Sequence, residues 1–165
     1  MAIPAATFDK LKTLAARQSI IAFTPTGGNE TILLVDYVGD TGSMDIGRLM
    51  APGAANGPAF TARSWPKSRA EMVRFRCKEI KKIPALLGGL TGHKTGTGAV
   101  YLRDPDDAAN TVGLMSDAAL PCSLYRDPTE IAHSGDNVSE VTLILESHKD
   151  GPITWTPDAD LSGGA

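Results

Sequence analysis

The sequence feature that most constrains the fold is an alternation of apolar and polar residues between Val138 and His148. Its apolar side chains fall on one side of an extended chain and its polar ones on the other: Val141, Leu143 and Leu145 against Glu140, Thr142 and Glu146. This pattern predicts a half-buried β-strand. Because the strand comes late in the chain, its apolar side must pack on strands made earlier. We therefore expect it to complete a sheet.

Shorter runs of strand-forming residues precede it. Two of them, joined by a turn, predict a hairpin, and three more predict single strands: Ser19–Thr24 with Thr31–Val38, then Met72–Ile80, Ala99–Arg103 and Leu120–Arg126. The links between them lack the helix of about a dozen residues that a parallel crossover needs. The expected fold is one domain over residues 1–165, mostly β and antiparallel, either a β-sandwich or an open β-barrel.

Two short helical segments accompany these strands. Residues 1–18 carry apolar side chains at helical spacing and predict an N-terminal helix or arm. Pro84–Leu90 predicts a second short helix that ends at the glycines 88 and 89. The glycine- and threonine-rich stretch Thr91–Gly98 is expected to be a flexible loop, and residues 151–165 a C-terminal tail.

Residues 39–68 differ from the rest in composition. Gly, Pro and other small residues dominate, and no period holds, which predicts a long extended loop. Its isolated large side chains, such as Met50, Phe60 and Trp65, indicate that it is ordered by contact. Two interpretations remain open: a loop packed on its own domain, or an assembly loop laid on a neighbouring subunit.

Charge is unevenly distributed along the chain. Residues 63–82 hold eight basic residues and two acidic ones, a local net charge of +6, although the whole chain carries −3. Residues 121–165 hold eight acidic residues and two basic ones, a net charge of −6. Such asymmetry favours head-to-tail contact between copies. A solvated basic face, or contact with nucleic acid, is the alternative, and the sequence pI of about 5.6 weakens the latter.

These observations give a set of candidate interface residues, which combines large apolar and basic side chains: Met50, Phe60, Arg63, Trp65, Arg74, Arg76, Lys78, Lys81 and Lys82. We expect reversal of charge at the three bases that alternate within Met72–Ile80 to leave the monomer folded and to block assembly.

Other chemistry finds little support. Gly88–Thr95 does not match a phosphate-binding loop. That pattern needs Gly directly before Lys-Ser/Thr, and here His93 stands directly before Lys94. The acidic group Asp104, Asp106 and Asp107 matches ordinary turn chemistry, and His93, His133 and His148 lack metal-ligand spacing. Cys77 and Cys122 lie in strand-like runs and are expected to be reduced core residues. We predict no catalytic residue, cofactor or metal site, and the absence of an apolar run of about 18 residues predicts no membrane span.

The arrangement resembles the tail-tube proteins of tailed bacteriophages. The likeness rests on a mostly β domain of about this length, a long loop between early strands, a short helix after a middle strand and a final strand with the sequence EVTLILE, residues 140–146. Thr91–Gly98 is also similar to a Gly/Thr loop of some contractile-tail tube proteins.

The resemblance implies a virion structural protein, assembled in the host cytoplasm, whose hexameric rings stack into a hollow tube that conducts DNA. Its partners would be further copies, other virion proteins and, non-specifically, DNA in the lumen. Two alternatives stay open: a head-decoration or head-to-tail connector protein of a phage, and a small β-barrel enzyme or ligand carrier.

Overall fold

The computed structural model describes residues 19–103, 109, 111–127 and 140–161. The predicted N-terminal helix, the turn at Asp104–Asp107 and His133 lie outside this part of the chain. Within it are eight strands and one α-helix: β1 Ser19–Pro25, β2 Thr31–Ala51, β3 Phe60–Cys77, α1 Ile83–Leu87, β4 His93–Arg103, β5 Val112–Met115, β6 Leu120–Arg126, β7 Val141–Ser147 and β8 Thr156–Asp160. Two short 3₁₀ segments, Ala54–Asn56 and Ile80–Lys82, complete the description.

All eight strands belong to one sheet, and every pairing is antiparallel. The strand order is β1-β2-β3-β7-β6-β4-β5-β8, and an additional pairing joins β1 to β4. Six strands therefore form a closed circuit of hydrogen-bonded neighbours, and β5 and β8 extend the sheet beyond β4. The prediction of a mostly antiparallel β fold with a short helix is confirmed.

The predicted strands and hairpin are found where alternation was clearest. β1 pairs with the first part of β2, with Ile21 opposite Leu33. In β3 the predicted inner residues, Val73, Phe75 and Cys77, are fully buried, whereas Arg76 and Lys78 are exposed. The strands enclose an apolar core to which β1, β2, β3, β4, β6 and β7 all contribute. Burial of this apolar surface is the main stabilising contribution.

The predicted short helix is confirmed as α1. Its buried side chains, Ile83, Leu86 and Leu87, join the core, and Gly88 follows it with a φ of 78°. Glycine adopts this left-handed conformation without steric cost, which ends the helix.

The prediction of a flexible loop at Thr91–Gly98 is wrong, because His93–Gly98 is the first part of β4. This segment pairs with β6 on one edge, and Gly96 and Gly98 pair with β1 on the other. A Cβ built on Gly96 would lie 2.0 Å from the carbonyl oxygen of Thr24. Glycine here allows close approach of β1 and β4, not flexibility.

The prediction that β7 is buried on one side only is also wrong. Leu143 is fully buried, as expected, but Thr142 and Ile144 on the opposite face are only 5% and 7% exposed. β3 and β6 flank β7, and Arg74 of β3 donates a hydrogen bond to Asp127, which follows β6. This ion pair spans the outer face of β7 and covers it.

Residues 151–165 are not simply a tail. Residues 156–160 form β8, which pairs with β5, and Ile153 is buried in the core. Its backbone N–H donates to Glu71 of β3 at 2.8 Å. The chain is therefore held against the body of the sheet at least as far as β8.

Both cysteines are free and buried, as expected. Burial raises the pKa of Cys122 to about 12 and also raises that of Cys77, which keeps both thiols protonated and unreactive near neutral pH. Among the described residues, no helix combines the length and apolar character needed to cross a membrane.

Candidate subunit interface

The segment predicted as a long loop, residues 39–68, is mostly two long strands. β2 and β3 continue past the body of the sheet and pair with each other up to Ala51 and Phe60. β1 pairs with β2 only as far as Val35, and β7 pairs with β3 only from Met72 onward. We call residues 42–71 the arm. At about 3.3 Å per residue, its ten-residue strand in β2 is about 30 Å long.

The arm exposes large apolar side chains. Met44, Leu49, Met50 and Phe60 are 51–56% exposed, and Trp65 is 41% exposed. Residues 60–69 are all exposed, so within the described chain almost nothing covers this half of the arm. Successive residues of a strand point to opposite faces, so Leu49 and Met50 place apolar surface on both sides. Exposed apolar side chains grouped in this way are typical of interaction sites.

One local contact orders the middle of the arm. Trp65 lies opposite Gly47, and a Cβ built on Gly47 would approach the indole to 2.6 Å. The indole therefore packs directly on the glycine backbone, and a side chain at this position would have to displace it. Gly47 is buried, whereas Ile46 is half-buried and Arg48 is exposed. The arm thus has a defined shape before any partner binds.

The root of the arm is held from both strands. On β2, the Tyr37 hydroxyl donates to Asp40 at 2.6 Å, and its ring packs at 6.1 Å from that of Phe75. Burial, and then the hydrogen bond to Asp40, raises the pKa of Tyr37 to about 12. On β3, Glu71 accepts the backbone N–H of Ile153. These contacts limit movement of the arm relative to the body.

The predicted basic residues divide into three groups. Arg74 bonds to Asp127, and Lys82 bonds to Glu79 at 2.7 Å and to the Ile32 carbonyl oxygen at 3.1 Å, so both serve within the chain. Arg76, Lys78 and Lys81 are exposed on the body. Arg63 lies on the arm, as do Met50, Phe60 and Trp65, and it is paired with Leu49, on the face opposite that of Met50.

Because Arg74 contacts a buried carboxylate, the expected tolerance to reversal of its charge has to be revised. A glutamate at this position would face Asp127, and two carboxylates at one site repel each other. Arg76 and Lys78 are the positions at which charge can be changed without touching that pair.

A polar cluster lies on the outer face of β4 and β6. The Ser123 hydroxyl is 3.0 Å from Nε2 of His148 and 3.3 Å from the Thr95 hydroxyl, and His93 stacks on Tyr125 with ring centroids 5.4 Å apart. Ser123 is buried, with 1% of its surface exposed. In the described part of the chain, no group of three or more His, Cys, Asp or Glu side chains is placed to hold a metal ion.

A scan against models of known protein families and a search of curated proteins both found no match.

Sequence reasoning found the large side chains of the arm but missed its strand structure and the packing role of Gly47. A signal was present, since Met44–Met50 contains Met, Ile and Leu and no proline. Apolar and polar residues do not alternate regularly along residues 39–68. A hairpin with two exposed faces has no buried face that would impose such alternation, so the usual sign of a strand is missing.

Proposed function

We propose that this chain is a virion structural protein, a tail-tube subunit that self-assembles into stacked rings forming a DNA-conducting tube. The observation that carries the proposal is the arm, a pre-shaped hairpin whose large apolar side chains remain 41–56% exposed in the described chain. Ordered apolar surface that extends away from its own core is explained by docking on another subunit.

Symmetry supports an assembly of copies. An arm that docks on a different surface of the next copy, while that copy's arm docks on a third copy, makes a heterologous contact. Repetition of a heterologous contact closes into a ring or continues as a filament. Both are forms that a tube subunit needs, and the opposite charges of residues 63–82 and residues 121–165 favour the same head-to-tail order.

The body suits a structural role. Its antiparallel sheet surrounds one apolar core, and the ion pair of Arg74 with Asp127 links β3 to β6 across β7. In the proposal the body supplies the wall of the tube, the arm grips the neighbour, and contact with DNA or with other virion proteins is made by exposed side chains of the assembled ring. No step requires a membrane or a cofactor.

Negative-stain electron microscopy and light scattering of the purified protein at micromolar concentration test the proposal. The key variant replaces residues 45–68 with Asn-Gly, a two-residue turn suited to joining the paired residues Met44 and Arg69. We expect rings or tubes from the full chain and folded monomers from the variant, with matching circular dichroism.

Three results would count against the proposal. Monodisperse small particles from both proteins favour the enzyme or ligand-carrier alternative. Binding to capsids without ring formation favours a head-decoration or connector protein. Rings that form equally well without residues 45–68 remove the arm from the argument.

A further inference from the structure

One face of the arm places an arginine between two aromatic rings. Trp65, Arg63 and Phe60 of β3 lie opposite alternate residues of β2, and therefore share a face with them: Gly47, Leu49 and Ala51. At about 3.3 Å per residue, the two aromatic residues are about 13 Å apart along the arm, with Arg63 midway between them. All three side chains are exposed. We call these three residues the aromatic face.

The indole of Trp65 is held in position before any ligand binds. Its atoms Nε1, Cε2 and Cζ2 would lie 2.6–2.9 Å from a Cβ built on Gly47, so the ring lies against the backbone of β2. Trp65 nevertheless remains 41% exposed. A fixed and exposed aromatic ring is a surface on which an unpaired base can stack.

The charge around the aromatic face is positive. From Ile46 to Arg69 the arm contains four basic residues and no acidic one, and all four are exposed: Arg48, Arg63, Lys67 and Arg69. Asp45 is the acidic residue next to this stretch, and it is paired with Ser68. Lys67 and Arg69 stand on either side of Ser68, so basic side chains outnumber the one carboxylate there.

The net charge of −3 for the whole chain does not cancel this local charge. Arg63 is paired with Leu49, which is about 23 Å along β2 from the root of the arm at Gly42. In about 0.15 M salt, interactions between exposed charges are screened over about 8 Å. A polyanion at the aromatic face therefore meets the charge of the arm and not the charge of the body.

We infer that the aromatic face binds single-stranded nucleic acid, with bases stacked on Trp65 and Phe60 and a phosphate held between them by Arg63. Exposed aromatic rings combined with basic side chains suit this class of ligand. The bases of a duplex are already paired and stacked on each other, so a duplex offers them less readily. The inference goes beyond the proposed function and is compatible with it, because Met44 and Met50 lie on the opposite face and remain for the neighbouring copy.

Fluorescence anisotropy with a short labelled oligothymidylate tests the stacking, at protein concentrations below those at which light scattering detects assembly. We expect Trp65→Ala to weaken binding by at least about fivefold, the lower limit for loss of one stacked base. Trp65→Phe keeps an aromatic ring and should retain most of the affinity. Met50→Ala is the matched control, because it shortens an exposed apolar side chain on the opposite face, and it should bind as the natural chain does.

Tryptophan emission gives a second readout of the same contact. Binding of the oligothymidylate should quench the natural chain, whereas the Trp65→Phe variant should show no quenching, because its remaining Trp155 packs against the core of the body. An oligouridylate of equal length shows whether DNA or RNA binds more tightly.

The salt dependence of binding tests the phosphate contact. Arg63→Gln should reduce the slope of log affinity against log salt concentration by about 0.7, the value for one contact with a single strand. Arg76→Gln is the control, because Arg76 is an exposed arginine of β3 on the body, and it should leave the slope unchanged. Circular dichroism of each variant separates loss of binding from loss of folding.

Three results would overturn the inference: no binding by the natural chain at about 50 mM salt, equal or tighter binding of a duplex of the same length, or equal affinities of Trp65→Ala and the natural chain. Each of them leaves the proposed function intact, since rings are scored separately by electron microscopy. Failure of the natural chain to form rings overturns the proposed function and leaves the binding of oligonucleotides to be judged by its own measurements.

Discussion

Arg74→Leu should destabilise the fold although Arg74 lies on the outer face of the sheet. Its guanidinium bonds to Asp127, whose side chain is 7% exposed, while the side chain of Arg74 is 36% exposed. Loss of one partner of a buried pair costs about 3 to 5 kcal/mol, and surface pairs contribute below about 1 kcal/mol. This half-covered pair lies between the two limits. We expect a loss of about 2 to 3 kcal/mol in the free energy of unfolding.

Urea denaturation followed by tryptophan fluorescence measures this loss. With a slope of about 2 kcal/mol per molar urea, the midpoint should fall by about 1 to 1.5 M. Arg76→Leu is the matched control, because Arg76 is an exposed arginine on the same face of β3, and it should change stability by less than about 0.5 kcal/mol. Equal losses of unfolding free energy in the two variants would show that the ion pair across β7 stabilises the fold no more than an exposed arginine does.

Three further outcomes are expected from the natural chain. Gly47→Ala should displace the indole of Trp65 and shift tryptophan emission without lowering thermal stability. Gly39→Ala, with no atom within 4 Å of the added Cβ, should change neither the emission nor the thermal stability. Unchanged emission in both variants would contradict the packing of Trp65 on Gly47. Gly96→Ala should destabilise the body by about 1 to 3 kcal/mol, because the methyl group meets backbone of β1 and cannot be accommodated by a side-chain rotation; an unchanged melting temperature would refute the close approach. Asp117 has a pKa lowered from 3.8, chiefly by the hydrogen bond from Lys149, so its contribution is present above that value and lost as pH falls through the lower folded pKa. Asp117→Asn should therefore flatten the acid limb of the stability curve, and an acid limb as steep as that of the natural chain would assign the acid sensitivity to other groups.

Alternation between apolar and polar residues was enough to locate the body of the sheet. Val73, Phe75 and Cys77 alternate with basic residues, and the three are fully buried. The short helix followed from Pro84 and the two glycines, and reduced, buried thiols followed from strand-like surroundings. In each case a local pattern reports on one buried face, and burial of apolar surface is the dominant stabilising contribution.

The sequence therefore determined a mostly antiparallel β domain and the apolar, basic character of its interface candidates. Only the tertiary structure decided three other features. Residues 42–71 form an arm because two strands satisfy each other's backbone hydrogen bonds without a buried face to impose alternation. The glycines of β4 lie where two strands approach closely. The second face of β7 is covered because β3 and β6 flank it and bring Arg74 to Asp127. These two residues are 53 positions apart in the sequence, and no local pattern carries information over that separation.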